Sequence, residues 1–235
     1  MTIIPNVFRR GLEATIEPLV SALIRARVNP NVLTTIGTLV LLGSGFAFGF
    51  GLVRLGGALL LLSGVMDMLD GRVARGGGVV TKFGAFYDST LDRVGESALF
   101  GGIAVYFVAG GVAEPWRTTA LIATLVALSA GLTVSYARAR AEGLQMECKV
   151  GVAQRAERIL GLGVPTLFFG AGPGGFLLLG VVAILAVLAV ITVGQRILHV
   201  YRLTSRRGQR QTQARFAKPA LADTTTTMRK GQGSD

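Results

Sequence analysis

Four aspartates that stand close together in the sequence could carry chemistry. Asp67 and Asp70 are three residues apart, and Asp88 and Asp92 are four apart. On a helix, each of these spacings places both carboxylates on one face. Clustered carboxylates are ligands that hard divalent cations prefer, and a pair of such ions suits phosphoryl transfer. The spacing therefore indicates a metal-dependent site for phosphoryl chemistry.

Small residues and a fifth acid accompany the aspartates. Gly71 and Gly84 would allow a backbone and a phosphate group to approach each other closely. Glu96 stands one helical turn beyond Asp92, where we expect it to be a hydrogen-bond partner of the site rather than a ligand. The link near residues 76–78 is short. The helices on either side of it should therefore be antiparallel, and the two aspartate pairs should converge.

The elements that hold these residues have the composition of membrane spans. Hydrophobic residues make up 51% of the chain and charged residues only 16%. The apolar residues form long runs, at 32–53, 102–112 and 159–195, whereas a span needs about 20 such residues. A soluble core of this composition would leave most of the chain without a polar surface. The single cysteine, Cys148, excludes an intramolecular disulfide and a cysteine-rich metal site.

The predicted fold is an all-α integral membrane protein with six transmembrane helices, preceded by an amphipathic juxtamembrane helix. Residues 1–28 would form that helix in the membrane interface. Residues 29–203 would form the membrane domain, and residues 204–235 a basic disordered tail. The spans are expected near residues 31–53, 56–75, 82–109, 116–138, 152–170 and 174–201.

The basic residues predict an orientation. With the N-terminus in the cytoplasm and alternating spans, all but two of the 24 lysines and arginines fall on the cytoplasmic side. The exceptions are Arg54 and Arg117. This split places the aspartates and both termini in the cytoplasm, at the cell membrane. It also explains the net charge of +11 by anionic lipid headgroups, so no nucleic-acid partner is expected.

Carboxylates inside spans need compensation. Each costs about 2.5–3.5 kcal/mol on insertion scales, so four of them would not persist for stability alone. Bound divalent cations are the favoured explanation. A buried salt-bridge network without chemistry is one alternative, and a proton or cation pathway is another, since intramembrane acids also mark transport routes. A non-catalytic membrane scaffold would bind neither metal nor nucleotide.

The spacing of these residues resembles a known family. The pattern runs Asp67-x2-Asp70-Gly71-x2-Ala74-Arg75-x8-Gly84-x3-Asp88-x3-Asp92. It is similar to the complete signature of the CDP-alcohol phosphotransferases, with all eight fixed positions met. The Asn29-Pro30-Asn31-x2-Thr34 entry to the first span agrees as well, so the resemblance covers about residues 5–203.

The resemblance implies a mechanism and a set of roles. A CDP-linked lipid would bind with its pyrophosphate at the metals, an acceptor hydroxyl would attack the lipid-side phosphorus, and CMP would leave. Asp67, Asp70 and Asp88 would bind metal, probably absent any other ligand type, as two Mg²⁺ or Mn²⁺ ions. Asp92 would share in metal binding and act as the general base. The pocket for the CDP-lipid would be formed by Gly71, Ala74, Arg75, Gly84 and Thr34. Members of the family are usually homodimers.

Three arginines point to the acceptor alcohol. Arg138, Arg155 and Arg196 stand at the cytoplasmic ends of three predicted spans, and arginine suits phosphate through its fixed fork of donors. Their segments resemble those of bacterial phosphatidylinositol-phosphate synthases, whose basic residues at matching places bind inositol phosphate. The alternative is that these arginines only follow the positive-inside rule.

The favoured function is therefore phosphatidyl transfer from CDP-diacylglycerol to inositol phosphate, giving phosphatidylinositol phosphate and CMP. Phosphatidylglycerophosphate synthesis, or another reaction of the same family, is the alternative within this class. A cation transporter is the alternative from another class.

Overall fold

The structure is a computed structural model. It describes the backbone of residues 6–152 and 155–230, and the side chains of residues 16–152 and 155–205. Within these ranges the chain is helical, without a strand. The helices are α1 (Asn6–Arg25), α2 (Pro30–Gly49), α3 (Val53–Gly76), α4 (Lys82–Tyr106), α5 (Arg117–Gly143), α6 (Arg155–Phe169) and α7 (Phe176–Lys230).

The predicted all-α membrane fold is confirmed, but only four helices are long and apolar enough to cross a membrane by themselves. These candidate spans are Pro30–Gly49, Lys82–Gly111, Arg117–Gly143 and Pro173–Ser205. The second includes a π-helical turn after α4, and the fourth a 3-10 turn before α7. α3 carries the charges of Asp67, Asp70, Arg72 and Arg75, and α6 has only 15 residues. The count of six spans stays a prediction.

Local sequence signals start the two helices that frame the site. The Oδ1 of Asn29 accepts a hydrogen bond from the Asn31 backbone N–H at 3.0 Å, and Pro30 is the first residue of α2. The Thr81 hydroxyl accepts from the backbone N–H of Gly84 at 2.9 Å and caps α4. Between α3 and α4, Gly78 has a φ of 66°, a conformation that favours glycine. This link is as short as the sequence predicts.

α2 is the central helix around the site, and it packs against both α3 and α4. Two glycines make the α2–α4 contact close. A Cβ on Gly102 would lie 1.8 Å from the carbonyl oxygen of Gly45. α3 also packs against α6, and α5 against α7. The main core lies among these helices, around Phe48, Leu60 and Ile103.

Both ends of the chain bear on the predicted domain limits. α1 packs on α3, where Ile16 and Val20 are buried against Leu69 and Val73. Its place in the membrane interface stays a prediction. At the other end the structure differs from the expected disorder, because the backbone of α7 is helical through Lys230. The segment after residue 204 contains many arginine, glutamine and alanine residues, and all three are good helix formers.

Candidate active site

Three aspartates converge where α3 meets α4. Asp67 and Asp70 lie on the last turns of α3, and Asp88 lies on the second turn of α4. One carboxylate oxygen from each lies within 4.8 Å of the others. The convergence predicted from helix spacing and the short link is therefore observed for these three residues.

Asp70 is held by a contact from α2. Its Oδ2 accepts a hydrogen bond from the Thr34 hydroxyl at 2.7 Å, and both residues are buried. The Thr34 hydroxyl also lies 3.2 Å from the Pro30 carbonyl, but one proton can serve only one acceptor at a time. Thr34 thus orients a carboxylate of the cluster. Its predicted contact with the CDP-lipid stays a prediction.

The cluster fits a divalent cation. Oδ1 of Asp88 is buried and has no hydrogen-bond partner among the described residues, and such an atom is costly unless something neutralises it. All three side chains offer carboxylate oxygen, which Mg²⁺ and Mn²⁺ prefer. The donor set and the unpartnered atom both agree with a metal ion held by Asp67, Asp70 and Asp88.

Asp92 stands beside this cluster and contacts arginine. Its Oδ2 contacts Nη1 of Arg155, and it lies 3.4 Å from Nη2 of Arg93. The same Nη1 of Arg155 lies 3.2 Å from Oδ1 of Asp67. Arg155, the first residue of α6, therefore connects Asp92 to the metal cluster. The sequence predicts metal binding and acceptor binding for these two residues, and the structure brings them together.

The residues predicted for the CDP-lipid pocket surround the α3–α4 link. Arg75 is exposed, and its guanidinium lies over Gly71, since a Cβ there would be 3.2 Å from Nη1. Ala74 is half-buried on the same helix. A Cβ on Gly84 would lie 3.3 Å from Oδ1 of Asn31. These glycines thus leave room at the mouth of the cluster.

The three arginines predicted for the acceptor make separate contacts. Arg138 is exposed and pairs with Glu142 at 2.8 Å. Arg196 is buried; its Nε donates to the Val150 carbonyl at 3.0 Å and its Nη1 donates to the Val134 carbonyl. Arg196 therefore ties α7 to α5 and to the segment before α6. Only Arg155 contacts the aspartates within the described part of the chain, and the joint acceptor pocket stays a prediction.

Sequence reasoning missed a second charged cluster next to the first. Glu96 lies 3.0 Å from Arg93 and 2.9 Å from Arg158, and Arg158 is almost completely buried. The sequence predicts Glu96 as a hydrogen-bond partner, but Arg158 only as one of the cytoplasmic basic residues. Its position three residues after Arg155, at the entry to an apolar run, is the signal that could have identified it.

Known proteins share this sequence and fold. The chain matches the family model for CDP-alcohol phosphatidyltransferase over residues 27–201. It is 42% identical to a phosphatidylinositol phosphate synthase of Cutibacterium acnes, over 65% of this chain and 72% of the relative. It is 37% identical to an archaetidylinositol phosphate synthase of Methanothermobacter thermautotrophicus, over 84% of this chain and 94% of the relative.

Solved structures agree with these sequence matches. A crystal structure of Mycobacterium tuberculosis phosphatidylinositol phosphate synthase with CDP-DAG bound has a TM-score of 0.67 and 32% identity, covering 78% of this chain and 92% of that one. A structure of the same enzyme with manganese and citrate has the same TM-score and identity, and covers 88% of that chain. The aspartate cluster, the helical membrane fold and the family match lead to one conclusion. The chain belongs to the CDP-alcohol phosphatidyltransferase family.

Proposed function

We propose that this protein is a phosphatidylinositol phosphate synthase, which transfers a phosphatidyl group from CDP-diacylglycerol to inositol phosphate and releases CMP. The observation that carries the proposal is the convergence of Asp67, Asp70 and Asp88 at one point of the family fold. Relatives named for this activity and a neighbour bound to CDP-DAG support the substrates.

The aspartates divide the work. Asp67, Asp70 and Asp88 hold Mg²⁺ or Mn²⁺, with Asp92 sharing in a second site. The bound cation offsets the charge of the pyrophosphate and of the displaced phosphate. The Asp92 carboxylate accepts the proton of the attacking acceptor hydroxyl. Thr34 fixes the orientation of Asp70 through its 2.7 Å hydrogen bond.

The arginines and glycines bind the two substrates. Arg155 leaves its contacts with Asp67 and Asp92 to bind the acceptor phosphate, assisted by Arg138 and Arg196. The exposed Arg75 binds the pyrophosphate of the CDP-lipid above Gly71, Ala74 and Gly84. Because arginine remains charged and offers a planar fork of donors, it suits both phosphate groups.

The membrane organisation follows from the charge distribution. Helices α2 to α7 form six spans in the domain 29–203, with α3 and α6 shielded by the four apolar spans. α1 lies in the cytoplasmic interface and contacts α3 through the 3.1 Å pair of Glu17 and Arg72. The aspartate cluster and both termini face the cytoplasm, and two copies of the chain form a homodimer surrounded by membrane lipids.

A CMP-release screen tests this proposal. Purified protein, CDP-diacylglycerol and Mn²⁺ are combined with inositol phosphate, free inositol or glycerol 3-phosphate, and the lipid products are identified by mass. Inositol phosphate alone should support CMP release. Equal turnover with glycerol 3-phosphate would instead indicate phosphatidylglycerophosphate synthesis. Metal flux into liposomes without any nucleotide would indicate a transporter.

A further inference from the structure

A continuous series of ion pairs leads from the metal cluster into the membrane domain. Its members alternate in charge and come from three helices, in the order Asp67, Arg155, Asp92, Arg93, Glu96 and Arg158. The last two residues have no role in the family signature. Asp92, Glu96, Arg155 and Arg158 also line one cavity, whose remaining wall is apolar. The inner end of the series therefore lies next to the residues assigned to the acceptor.

The inner end is built into the fold. Arg158 is 6% exposed, and its Nη2 lies 2.9 Å from Oε1 of Glu96. Gly131 of α5 makes room for both, because a Cβ there would lie 2.4 Å from Nη1 of Arg158 and 3.1 Å from Oε1 of Glu96. Nε and Nη1 of Arg158 have no hydrogen-bond partner among the described residues. Glu96 is thus the one described carboxylate that pairs with this buried charge.

The contacts of Arg93 show what Glu96 does for Asp92. Nη1 of Arg93 lies 3.0 Å from Oε2 of Glu96 and donates to the Ser135 hydroxyl. Only Nη2 reaches Asp92, at Oδ2 and 3.4 Å. Arg155 contacts the same Oδ2. No ion pair between described residues involves Oδ1 of Asp92, so this oxygen is not taken by either arginine.

A guanidinium released from Glu96 would behave differently. Arginine and carboxylate side chains prefer a fork of two parallel hydrogen bonds, which occupies both carboxylate oxygens. Arg93 directly follows Asp92 in the sequence and is already in contact with it. Without the carboxylate of Glu96, Asp92 would be the remaining acid within reach of Arg93. Both Asp92 oxygens would then be engaged.

We propose that Glu96 and Arg158 are positioning residues, which hold Arg93 to one side so that Oδ1 of Asp92 stays available to the acceptor hydroxyl. Arg158 fixes Glu96, Glu96 fixes Arg93, and Arg93 is thereby prevented from forming a two-bond fork with Asp92. This inference rests on the proposed function, because it assumes that Asp92 accepts the acceptor's proton.

The variant Glu96→Gln tests the proposal. It keeps the shape of the side chain and its acceptor oxygen for Arg158, but removes the charge that holds Arg93. CMP release should fall about 100-fold in kcat, as for a misplaced catalytic group. The KM for CDP-diacylglycerol and the Mn²⁺ concentration for half-maximal activity should stay within about twofold, because neither substrate nor metal ligands change.

A double variant separates this role from a structural one. In Glu96→Gln/Arg93→Met the competing guanidinium is gone, so Oδ1 of Asp92 is open again. The double variant should recover at least about tenfold in kcat over Glu96→Gln. If Glu96 only stabilised the fold, the double variant would be as slow as the single one or slower. That result, or a single variant with kcat within about threefold of wild type, would overturn the proposal.

A glycine pair covers the case in which Glu96→Gln does not fold. Gly131→Ala displaces the Arg158 guanidinium without changing any charge, whereas Gly101→Ala adds a methyl group where no atom lies within 4 Å. Gly131→Ala should lower kcat with an unchanged KM for CDP-diacylglycerol, and Gly101→Ala should match wild type. A wild-type kcat in Gly131→Ala would overturn the proposal. All variants are assayed with whichever acceptor the wild-type screen identifies, so failure with inositol phosphate refutes the proposed function separately.

Discussion

The guanidinium of Arg155 contacts the carboxylate of Asp92, and the same nitrogen lies 3.2 Å from Oδ1 of Asp67. A residue assigned to the acceptor phosphate therefore shares atoms with the metal cluster. Because a cation and a guanidinium compete for the same carboxylate oxygens, binding of metal and release of Arg155 should be linked.

Replacement of Arg155 should affect the acceptor more than the CDP-lipid. Arg155→Gln is expected to raise the acceptor KM about 10- to 100-fold, because a charged hydrogen bond contributes about 1.5–3 kcal/mol. Steady-state CMP release at varied acceptor and varied CDP-diacylglycerol measures this. Arg140→Gln, at an exposed arginine of α5, is the control. Equal rises in both KM values would contradict the assignment.

Loss of the Thr34 hydroxyl should weaken metal binding. Thr34→Val keeps the shape of the side chain but removes the donor to Asp70 at 2.7 Å. Groups that orient metal ligands are worth about 10- to 100-fold in metal affinity, and a loss of this size in Mn²⁺ affinity is expected by titration calorimetry. Thr38→Val is the matched control, since its hydroxyl donates only to the Thr34 carbonyl at 2.9 Å. The idea fails if both variants bind Mn²⁺ equally.

Removal of the divalent metal should abolish the reaction. Chelation with EDTA is expected to stop CMP release completely, and added Mg²⁺ or Mn²⁺ should restore it, because the phosphates then regain their counter-charge. Asp88→Asn should not respond to either ion. Its buried Oδ1 has no partner among the described side chains, so metal is the contact it would lose. CMP release that persists in EDTA would rule out the metal-dependent mechanism.

Arg196 should matter for stability. It is buried and donates to the carbonyls of Val150 and Val134, and a buried carbonyl left without a donor costs about 1–3 kcal/mol. Arg196→Met should therefore lower the thermal midpoint in detergent clearly. Arg138→Met, at an exposed arginine paired with Glu142, should leave it nearly unchanged. Equal midpoints for the two variants would show that Arg196 is free for the acceptor instead.

Adjacent glycines of α4 should respond in opposite ways to alanine. Gly102→Ala would place a Cβ 1.8 Å from the Gly45 carbonyl, whereas Gly101→Ala meets nothing within 4 Å. The first should prevent stable folding or lower the thermal midpoint strongly. The second should be neutral or stabilise by up to about 1 kcal/mol, because alanine favours a helix over glycine. A tolerated Gly102→Ala would contradict the close α2–α4 contact.

The aspartate cluster could be predicted because its geometry is local. Three- and four-residue spacings fix which side chains share a helix face, and the short link between α3 and α4 makes the pairs converge. The contact of Arg155 with Asp92 joins residues 63 positions apart in sequence, and no spacing rule reaches that far. The membrane pattern predicted the helices but gave little weight to Arg158, because a lone arginine in a basic segment also fits the positive-inside rule.

The Thr34 contact shows another limit of the sequence. A threonine near the start of α2 fits a substrate pocket as well as it fits a hydrogen bond to Asp70. The choice depends on how closely α2 approaches α3, which is set by packing. The same holds for Arg196, whose buried contacts with two backbone carbonyls have no signal in the local sequence.

The backbone contact of Gly45 with Gly102 has a consequence for motion. Between these two helices there is no side chain that could change rotamer, so α2 and α4 cannot slide past each other without breaking the contact. They should move as one rigid body that carries Thr34 and Asp88 together. A lipid substrate that needs an opening must then enter between helices joined by side chains, and the α3–α6 contact is the hinge that remains.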